Sequence, residues 1–452
     1  MNRRDFIGAG SGAFFIAAAG RALGAAAPSN RVRIALVGSR KGGRGAEIRA
    51  AALELLGRGV EIAAVCDVDT RPEGMPFAAT HVAGKQGFAP KQVRDYRKVL
   101  EDPSIDAVVL VTPDHWHAPG AVMAMQAGKH VYVEKPCAFC PNEAEKLVQV
   151  WRKTGKVLQV GTQRRSGEYN IAALRDIREN KVIGETKWGK CWFVSGRKPL
   201  GKLQRQDVPQ WLDWEMWQGP APRRPFTNGI VHYDWHWSRH WGTGESGNNS
   251  VHYLDLAREA LGVDYPLRTV AGGGKLWIPQ DDGYEWPDLF NLTFEFPGAK
   301  ALTWEGVSTV RSLPYRNVFT GAVIFGTKGS VLFKPNNTAE MFDSSGRSVK
   351  LWAPAGQKDG KFEHSTASGG SGDTTAQHIF DMVERIRDDA PLRCCANAEI
   401  GVKSTMLPLL ANIAQTTGET VWTDPATGRL RPGSAGAALW AREYEKGWEI
   451  RV

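Results

Sequence analysis

The chain has 452 residues, which is too long for one ordinary hydrophobic core and favours two domains with additional segments. With 42% hydrophobic and 23% charged residues, it has the composition of a folded globular protein and not of a disordered or membrane-spanning one. The formal net charge is +9, but the chain lacks the basic block and the interleaved aromatic and basic residues of a nucleic-acid-binding protein, so no nucleic-acid partner is expected.

The first residues predict an export signal. Arg3 and Arg4 are followed by an aromatic and an aliphatic residue, as in twin-arginine signals. The apolar stretch that follows is short and rich in glycine, so it suits a cleaved signal better than a membrane anchor. We therefore expect residues 1–27 to be a twin-arginine signal peptide, cleaved near Ala26. Such a protein folds, commonly around its cofactor, before the twin-arginine export machinery carries it to the periplasm, and cleavage leaves it without a membrane attachment.

Strand and helix patterns alternate after the signal, which indicates a parallel sheet with crossover helices. A first apolar strand ends at Gly38, a glycine-rich turn leads into a helix, and a second strand ends at Asp67. The predicted strands cover residues 32–37, 60–66, 106–111, 130–133 and 157–160, and a further helix covers residues 141–153. We interpret residues 28–165 as an N-terminal Rossmann dinucleotide-binding domain.

The turn after the first strand has the chemistry of a dinucleotide phosphate site. Its glycines allow the backbone to approach a pyrophosphate at the positive end of the helix. Asp67 is placed to accept hydrogen bonds from the adenosine ribose and would repel a 2′-phosphate, which favours NAD over NADP. The glycine spacing is longer by two residues than G-x-G-x-x-G, so the assignment depends on the surrounding strand–turn–helix pattern.

Cys137 and Cys140 have the spacing of a redox or metal motif. No second pair of Cys or His follows at zinc-finger spacing. We interpret both as small apolar residues at a helix start, and we expect no metal.

Several segments between residues 106 and 252 resemble a known family. A strand is followed by Thr-Pro and two histidines, a second strand ends in Glu-Lys-Pro, a Val-Gly-Thr-Gln segment comes next, and Asn-Asn-Ser-Val-His lies in the second half. These motifs resemble the glucose–fructose oxidoreductase / inositol dehydrogenase / rhizopine-catabolism (Gfo/Idh/MocA) family over most of the chain after the signal. The residues that this resemblance assigns to the cofactor site are Gly38, Gly42 and Gly45 at the phosphates, Asp67 at the ribose, and Thr112, Pro113, His117, Glu134, Lys135, Pro136 and Gln163 towards the nicotinamide.

The resemblance also implies that residues 166–452 form a second domain around a large open, mostly antiparallel β-sheet. The strand-like runs that fit this sheet are residues 185–195, 288–296, 301–307, 318–326 and 331–333. The expected fold class is therefore α/β followed by α+β. In this family the outer face of the sheet commonly builds oligomers, so we expect a homo-oligomer, a dimer or a tetramer.

The candidate acid–base residues are Lys135 and His252. Hydride transfer from a sugar carbinol requires a base for the hydroxyl proton, and a partly desolvated lysine beside a positive nicotinamide has a lowered pKa. Relatives often carry Asp where this chain has Asn248, and an amide can orient a hydroxyl but cannot take its proton. We therefore predict that Lys135 and His252 are catalytic and that Asn248 binds the substrate. The alternatives are a lysine that only orients the nicotinamide ribose and a histidine held in the core by hydrogen bonds.

Residues 232–241 are unusually rich in histidine and tryptophan. His232, His236 and His240 are spaced by four residues and would share one face of a helix. A metal site is conceivable, but no acidic or cysteine partner has ligand spacing. We favour a carbohydrate-binding wall, with His236 and Trp237 in contact with the substrate; structural packing is the alternative.

The export signal constrains the chemistry, because the periplasm has no recycling pool of free NAD(H). A tightly bound NAD that is reduced and reoxidised within one catalytic cycle avoids that limit. Transfer between two sugars is one such cycle. Transient oxidation followed by elimination, water addition and re-reduction is another and gives net glycoside hydrolysis. We therefore predict a sugar or glycoside substrate, with two alternatives: an ordinary sugar or polyol dehydrogenase that releases NAD(P)H, and a non-catalytic sugar-binding protein of the same fold.

Overall fold

The computed structural model describes residues 31–310, 318–355 and 372–452. The predicted signal peptide lies outside these residues. Within them, no helix has the length and apolar character that crossing a bilayer requires.

The first half of the chain alternates strands and helices, as the sequence predicts. The elements are β1 Val32–Val37, α1 Gly43–Glu54, β2 Val60–Cys66, α2 Met75–Gln86, β3 Lys91–Val93, α3 Tyr96–Glu101, β4 Ala107–Leu110, α4 Asp114–Gln126, β5 His130–Val133, α5 Pro141–Thr154 and β6 Leu158–Val160. The strands form one parallel sheet in the order β3-β2-β1-β4-β5-β6. All residues of β4 are buried and apolar, because helices cover both faces of the sheet.

Cys137 and Cys140 are buried free thiols at the start of α5. Burial raises the pKa of each to about 12. This agrees with the interpretation that they are small apolar residues at a helix start.

The second half is built on a nine-stranded sheet. Its elements are α6 Glu168–Arg178, β7 Thr186–Val194, α7 Trp214–Gln218, α8 Val251–Leu261, β8 Arg268–Gly274, β9 Leu289–Phe296, β10 Lys300–Val307, β11 Thr320–Gly326, β12 Gly329–Phe333, β13 Ala339–Asp343, β14 Ser348–Trp352, α9 Gly372–Arg387, α10 Ala398–Thr417 and β15 Val421–Trp422. The order is β14-β13-β12-β11-β7-β10-β9-β8-β15, antiparallel except for the pair of β7 with β10. This confirms the predicted fold class, a Rossmann domain followed by a domain with a large, mostly antiparallel sheet.

Helices α9 and α10 connect the two sheets. Helix α9 packs against α1, so this late segment of the chain completes the core of the first sheet. Helix α10 packs against both α5 and β8. Its residues Met406 and Leu410 lie in the core of the first sheet, whereas Leu407 and Ala411 lie in the core of the second. One helix therefore fixes the two sheets relative to each other.

A long connection between β7 and α8 returns to the first domain. Leu212 forms a β-bridge with Asp69, and Trp214 stacks on Trp217 with ring centroids 4.8 Å apart. The tryptophans of this connection form a small core of their own with Phe226 and Ile230. The connection is therefore a packed element that lies over the carboxyl end of β2.

The prediction that His232, His236 and His240 share one helical face is wrong. Residues 234–237 form only a single 3-10 turn, with further turns on either side. His232 bonds Asp69, His236 stacks on Trp235, and His240 bonds the carbonyl oxygen of Pro222. The four-residue spacing of the histidines does not reflect a helix, because the packing of the neighbouring tryptophans determines the path of the backbone.

Candidate functional site

The glycine-rich turn between β1 and α1 forms a cradle that only glycine fits. Gly38 has φ +81°, and a Cβ there would lie 2.6 Å from the carbonyl oxygen of Val111. A Cβ on Gly45 would lie 2.2 Å from the carbonyl oxygen of Gly38. Gly42 has φ +85°, and a Cβ there would meet nothing within 4 Å. The turn is thus closely packed at Gly38 and Gly45 and open at Gly42, next to the N-terminus of α1. This arrangement suits the phosphates of a dinucleotide.

Asp67 follows directly after β2, at the same edge of the sheet. Its carboxylate accepts the backbone N–H of Asp69 at 3.1 Å. Burial raises the pKa of Asp67, while nearby His232 and Arg40 act in the opposite direction. Arg40 belongs to the glycine turn, so the two extra residues of that turn bring a cation towards the predicted ribose position.

Glu134 and Arg44 join the end of β5 to the start of α1. Nε and Nη2 of Arg44 donate to one carboxylate oxygen of Glu134 at 3.0 and 2.9 Å, and the hydroxyl of Tyr132 donates to the same oxygen at 3.1 Å. Burial alone would raise the pKa of Glu134, but Arg44 and Lys135 outweigh it and lower the pKa. The other oxygen, Oε2, is buried without a partner among the described residues.

His117 ties together the loops that follow β4 and β5. Its Nε2 lies 2.8 Å from the carbonyl oxygen of Thr112, and its Nδ1 lies 2.7 Å from that of Pro136. Pro113 is the residue before α4, and Pro136 follows a cis peptide bond. His117 therefore holds the backbone of both loops in place.

Lys135 points from the end of β5 to the segment before α8. Its ammonium group donates to the carbonyl oxygen of Asn248 at 2.7 Å and to the side-chain Oδ1 of Asn248 at 3.1 Å. Burial lowers the pKa of Lys135, and the nearby carboxylates of Glu134 and Asp114 oppose this only in part. The amide at position 248 thus holds the lysine without adding a negative charge.

His252 lies at the start of α8, after a single π-helical turn at Ser246–Ser250. Its Nδ1 is buried and has no hydrogen-bond partner among the described residues. Burial, together with the charges of Lys135 and Arg164, holds the pKa of His252 well below its usual range. The imidazole is therefore neutral at neutral pH and carries a lone pair that can accept a proton.

The two predicted sugar-contacting residues differ in their settings. His236 is partly buried. Burial lowers its pKa, and Lys135 and His117 lower it further. Trp237 is buried: one face stacks on Tyr284, with ring centroids 4.8 Å apart, and the guanidinium of Arg197 lies 4.8 Å from its ring. A stacking platform for sugar at Trp237 is therefore not open in this structure, because its ring is already covered.

Sequence reasoning missed three groups beside Lys135. Asp114, the first residue of α4, accepts from the backbone N–H and hydroxyl of Thr243 at 3.0 and 2.6 Å, and burial raises its pKa. Arg197 and Tyr233 form a second pair, with Arg197 Nη1 donating to the Tyr233 hydroxyl at 2.7 Å. Arg197 and Tyr233 come from the long connection between β7 and α8, whose path the sequence pattern did not indicate.

The predicted cofactor residues lie along one edge of the first sheet. Gly38, Asp67, Thr112, Lys135 and Gln163 all follow carboxyl ends of the parallel strands, where dinucleotides bind in such sheets. The buried side-chain atoms without a partner in the described residues include Thr112 Oγ1, Glu134 Oε2, Gln163 Oε1 and His252 Nδ1. Buried polar atoms normally have partners, so this cluster fits a bound cofactor and substrate.

Comparisons with known proteins agree with this geometry. Residues 32–162 match the NAD-binding Rossmann fold of the Gfo/Idh/MocA oxidoreductase family, and residues 179–269 match the C-terminal alpha/beta domain of that family. A glycosyl hydrolase family 109 protein of Shewanella pealeana is 30% identical over 138 residues. That alignment covers 30% of this chain and 30% of the Shewanella protein, so it spans less than a third of the relative's length.

Solved structures share the fold over most of the chain. Levoglucosan dehydrogenase in complex with NADH and levoglucosan has a TM-score of 0.65 at 18% identity, covering 87% of this chain and 99% of that one. An oxidoreductase from Agrobacterium radiobacter, in complex with NAD+, L-tartaric acid and magnesium, has a TM-score of 0.59 at 19% identity, with coverages of 87% and 98%. With both domains matched by the family models, the chain belongs to the Gfo/Idh/MocA family of NAD-binding oxidoreductases.

Proposed function

We propose that this protein is an NAD-dependent enzyme that oxidises a ring carbon of a sugar or glycoside and restores it in the same cycle. The observation that carries the proposal is that Lys135 and His252 both have lowered pKa values and that Lys135 is near enough to lower the pKa of His252. Asn248 holds Lys135, Nδ1 of His252 has no partner, and neither group is bonded to a carboxylate among the described residues. Two such groups can manage proton transfers at adjacent positions of one sugar ring.

The chain supplies positioning and proton transfer. When bound, NAD accepts a hydride from a carbinol carbon and can return it. Lys135, held by Asn248, takes the proton of that carbinol hydroxyl and later gives it back. His252 takes the proton from the carbon next to the new carbonyl, because its neutral imidazole has a nitrogen lone pair and is not engaged at Nδ1 by any described residue. His236, whose pKa Lys135 also lowers, contributes a neutral polar tip for the sugar.

A retained cofactor would favour net hydrolysis over simple dehydrogenation. The proposed twin-arginine export would carry the enzyme to a compartment without free NAD(H), where released NADH is not replaced. The family 109 relatives are named as glycosyl hydrolases, which is the redox-neutral outcome of this cycle. Asp67 favours NAD over NADP, because a carboxylate at the ribose repels a 2′-phosphate.

We also propose periplasmic location after signal cleavage, and assembly into a homo-oligomer. Large apolar side chains are exposed on the nine-stranded sheet, such as Trp188 and Trp422. Light scattering of the purified protein tests the assembly, and a monomer would contradict it. N-terminal sequencing of the periplasmic protein tests the cleavage near Ala26.

The direct test measures nucleotide and product together. Protein purified from the periplasm is denatured and analysed for NAD(H) by mass spectrometry, and the native protein is screened with glycosides without added nucleotide. We expect bound NAD(H) in near-equal amount to protein, and turnover without net NADH. Activity that requires added NAD and releases one NADH per product would instead identify a dehydrogenase.

A further inference from the structure

Tyr233 lies on the long connection between β7 and α8, with its ring centroid 4.7 Å from that of His236. Its side chain is partly exposed, in contrast to the buried tryptophans of the same segment. Its hydroxyl oxygen accepts a hydrogen bond from Arg197 Nη1 at 2.7 Å. The side chain of Asn248 acts to lower the pKa of Tyr233, so it lies near the hydroxyl. Tyr233 is therefore close to the residue that holds Lys135.

Arg197 is itself fixed by a buried carboxylate. Its Nε donates to Oε2 of Glu245 at 3.2 Å, and Ser308 donates to the same oxygen at 3.2 Å. Asn249 donates to the other carboxylate oxygen. Because Glu245 is buried and held on both oxygens, the guanidinium cannot move away from Tyr233 at low cost.

The amide of Asn248 lies between Lys135 and Tyr233. Its Oδ1 accepts from the Lys135 ammonium at 3.1 Å, and its side chain acts to lower the pKa of Tyr233. An amide also carries an NH2 group that can donate, whereas a carboxylate has no hydrogen to donate.

The phenolic proton of Tyr233 is left for the substrate. Arg197 donates to the phenolic oxygen, and no acceptor of the O–H is found among the described residues. Desolvation raises the pKa of Tyr233, so the phenol is protonated at neutral pH, while the positive charge of Arg197 favours its anion once the proton has gone. A group with these properties can give a proton and then wait as a stabilised phenolate.

We propose that Tyr233 is a further catalytic residue, the acid that protonates the oxygen leaving the sugar in the elimination step. This inference rests on the proposed function. Next to the ring carbonyl, the C–H bond breaks and its proton goes to His252. The electron pair of that bond forms the C=C bond, and the C–O bond to the leaving group breaks. The leaving oxygen takes its electron pair and the proton of Tyr233.

Addition of water reverses these transfers. The Tyr233 phenolate takes a proton from water, and the hydroxide bonds to the carbon that lost the leaving group. The proton on His252 returns to the neighbouring carbon. Tyrosine and histidine regain their starting states, and no oxidant or reductant is consumed in either step.

Leaving groups of different acidity test this role. Wild type and Tyr233→Phe are compared on methyl and 4-nitrophenyl glycosides of the same sugar. A nitrophenolate leaves without protonation, whereas an alkoxide does not. We expect Tyr233→Phe to lose about 10²–10⁴-fold on the methyl glycoside, the usual contribution of a general acid, and to stay within about 10-fold on the nitrophenyl glycoside. Tyr265→Phe, at a tyrosine packed against Gly428, is the matched control and should match wild type on both.

Equal losses on both substrates would show a structural role for Tyr233 and overturn the inference, as would unchanged turnover of the methyl glycoside. The bound NAD content of the variant checks that the fold is kept. Wild-type protein that cleaves neither glycoside, and forms no keto sugar, would contradict the proposed function itself. The wild-type and variant results therefore separate the two failures.

Discussion

Replacing Asn248 by Asp tests whether Lys135 works as a neutral base. The new carboxylate would stand where Oδ1 now lies 3.1 Å from the ammonium group. At an effective dielectric constant of about 20, two unit charges at this distance attract by about 5 kcal/mol, an upper bound because the carboxylate must be desolvated. Measured pKa shifts beside an opposite charge are about 1–3 units. The pKa of Lys135, now lowered by burial, should rise by about that amount.

The raised pKa of Lys135 should appear in the acidic limb of the pH profile of kcat/KM. Lys135 must lose its proton before it can accept one, so a higher pKa moves the acidic limb of kcat/KM to higher pH by about 1–3 units. At a fixed pH on that limb, kcat/KM falls about 10- to 1000-fold, tenfold per unit. The assay is the pH dependence of kcat/KM for a nitrophenyl glycoside, which keeps protonation of the leaving group out of the rate.

Asn228→Asp is the matched control, because Oδ1 of Asn228 accepts from a backbone N–H and an Asp there keeps that bond. It adds the same charge to the long connection and should leave the profile unchanged. A limb in Asn248→Asp that stays in place or moves to lower pH would show that Lys135 is not the group that titrates. A faster enzyme would show that a carboxylate improves this site.

The remaining predictions concern stability and cofactor choice. Lys135→Met should abolish turnover and raise the thermal stability, because burial disfavours the charged lysine. The pKa of Lys135 in the folded state lies below 10.5, its value in the unfolded chain, so the stability of the wild type rises with pH between these two values. The variant lacks this rise. Thermal melts in which both proteins show the same pH dependence would contradict the prediction. Asp67→Ala should weaken NAD binding about 10- to 100-fold, from about 1.5–3 kcal/mol for a charged hydrogen bond, and weaken NADP less. Calorimetry on nucleotide-stripped protein measures both, and equal losses would exclude the ribose role.

The first sheet could be predicted from sequence because its central strands are apolar throughout. β1, β2 and β5 match their predicted ranges, and β4 is one residue shorter at each end. β3 was missed because two of its three residues are exposed and carry no apolar pattern. In the second sheet, β8 ends in three glycines and β14 exposes four of its five residues. Such edge segments lack the alternation on which strand prediction depends.

The candidate site was predictable only where motifs lie next to strand ends. The glycine turn and the Glu-Lys-Pro segment belong to this kind. The partners that determine their chemistry lie far away in sequence: Arg44 is 90 residues from Glu134, and Asn248 is 113 residues from Lys135. No spacing rule joins residues this far apart in the chain. Tyr233 is not among the predicted site residues, because the pattern of its segment suggested a helix. The packing of the tryptophans determines its position instead.

Under the proposed function, one NAD stays bound and is both reduced and reoxidised in each turnover. Single-turnover absorbance at 340 nm, recorded with purified enzyme and no added nucleotide, follows the redox state of that cofactor. We expect a transient rise that returns to the baseline as the glycoside is cleaved, with NAD recovered in near-equal amount to protein. A flat trace without cofactor, or a rise that persists and scales with added NAD, would contradict it.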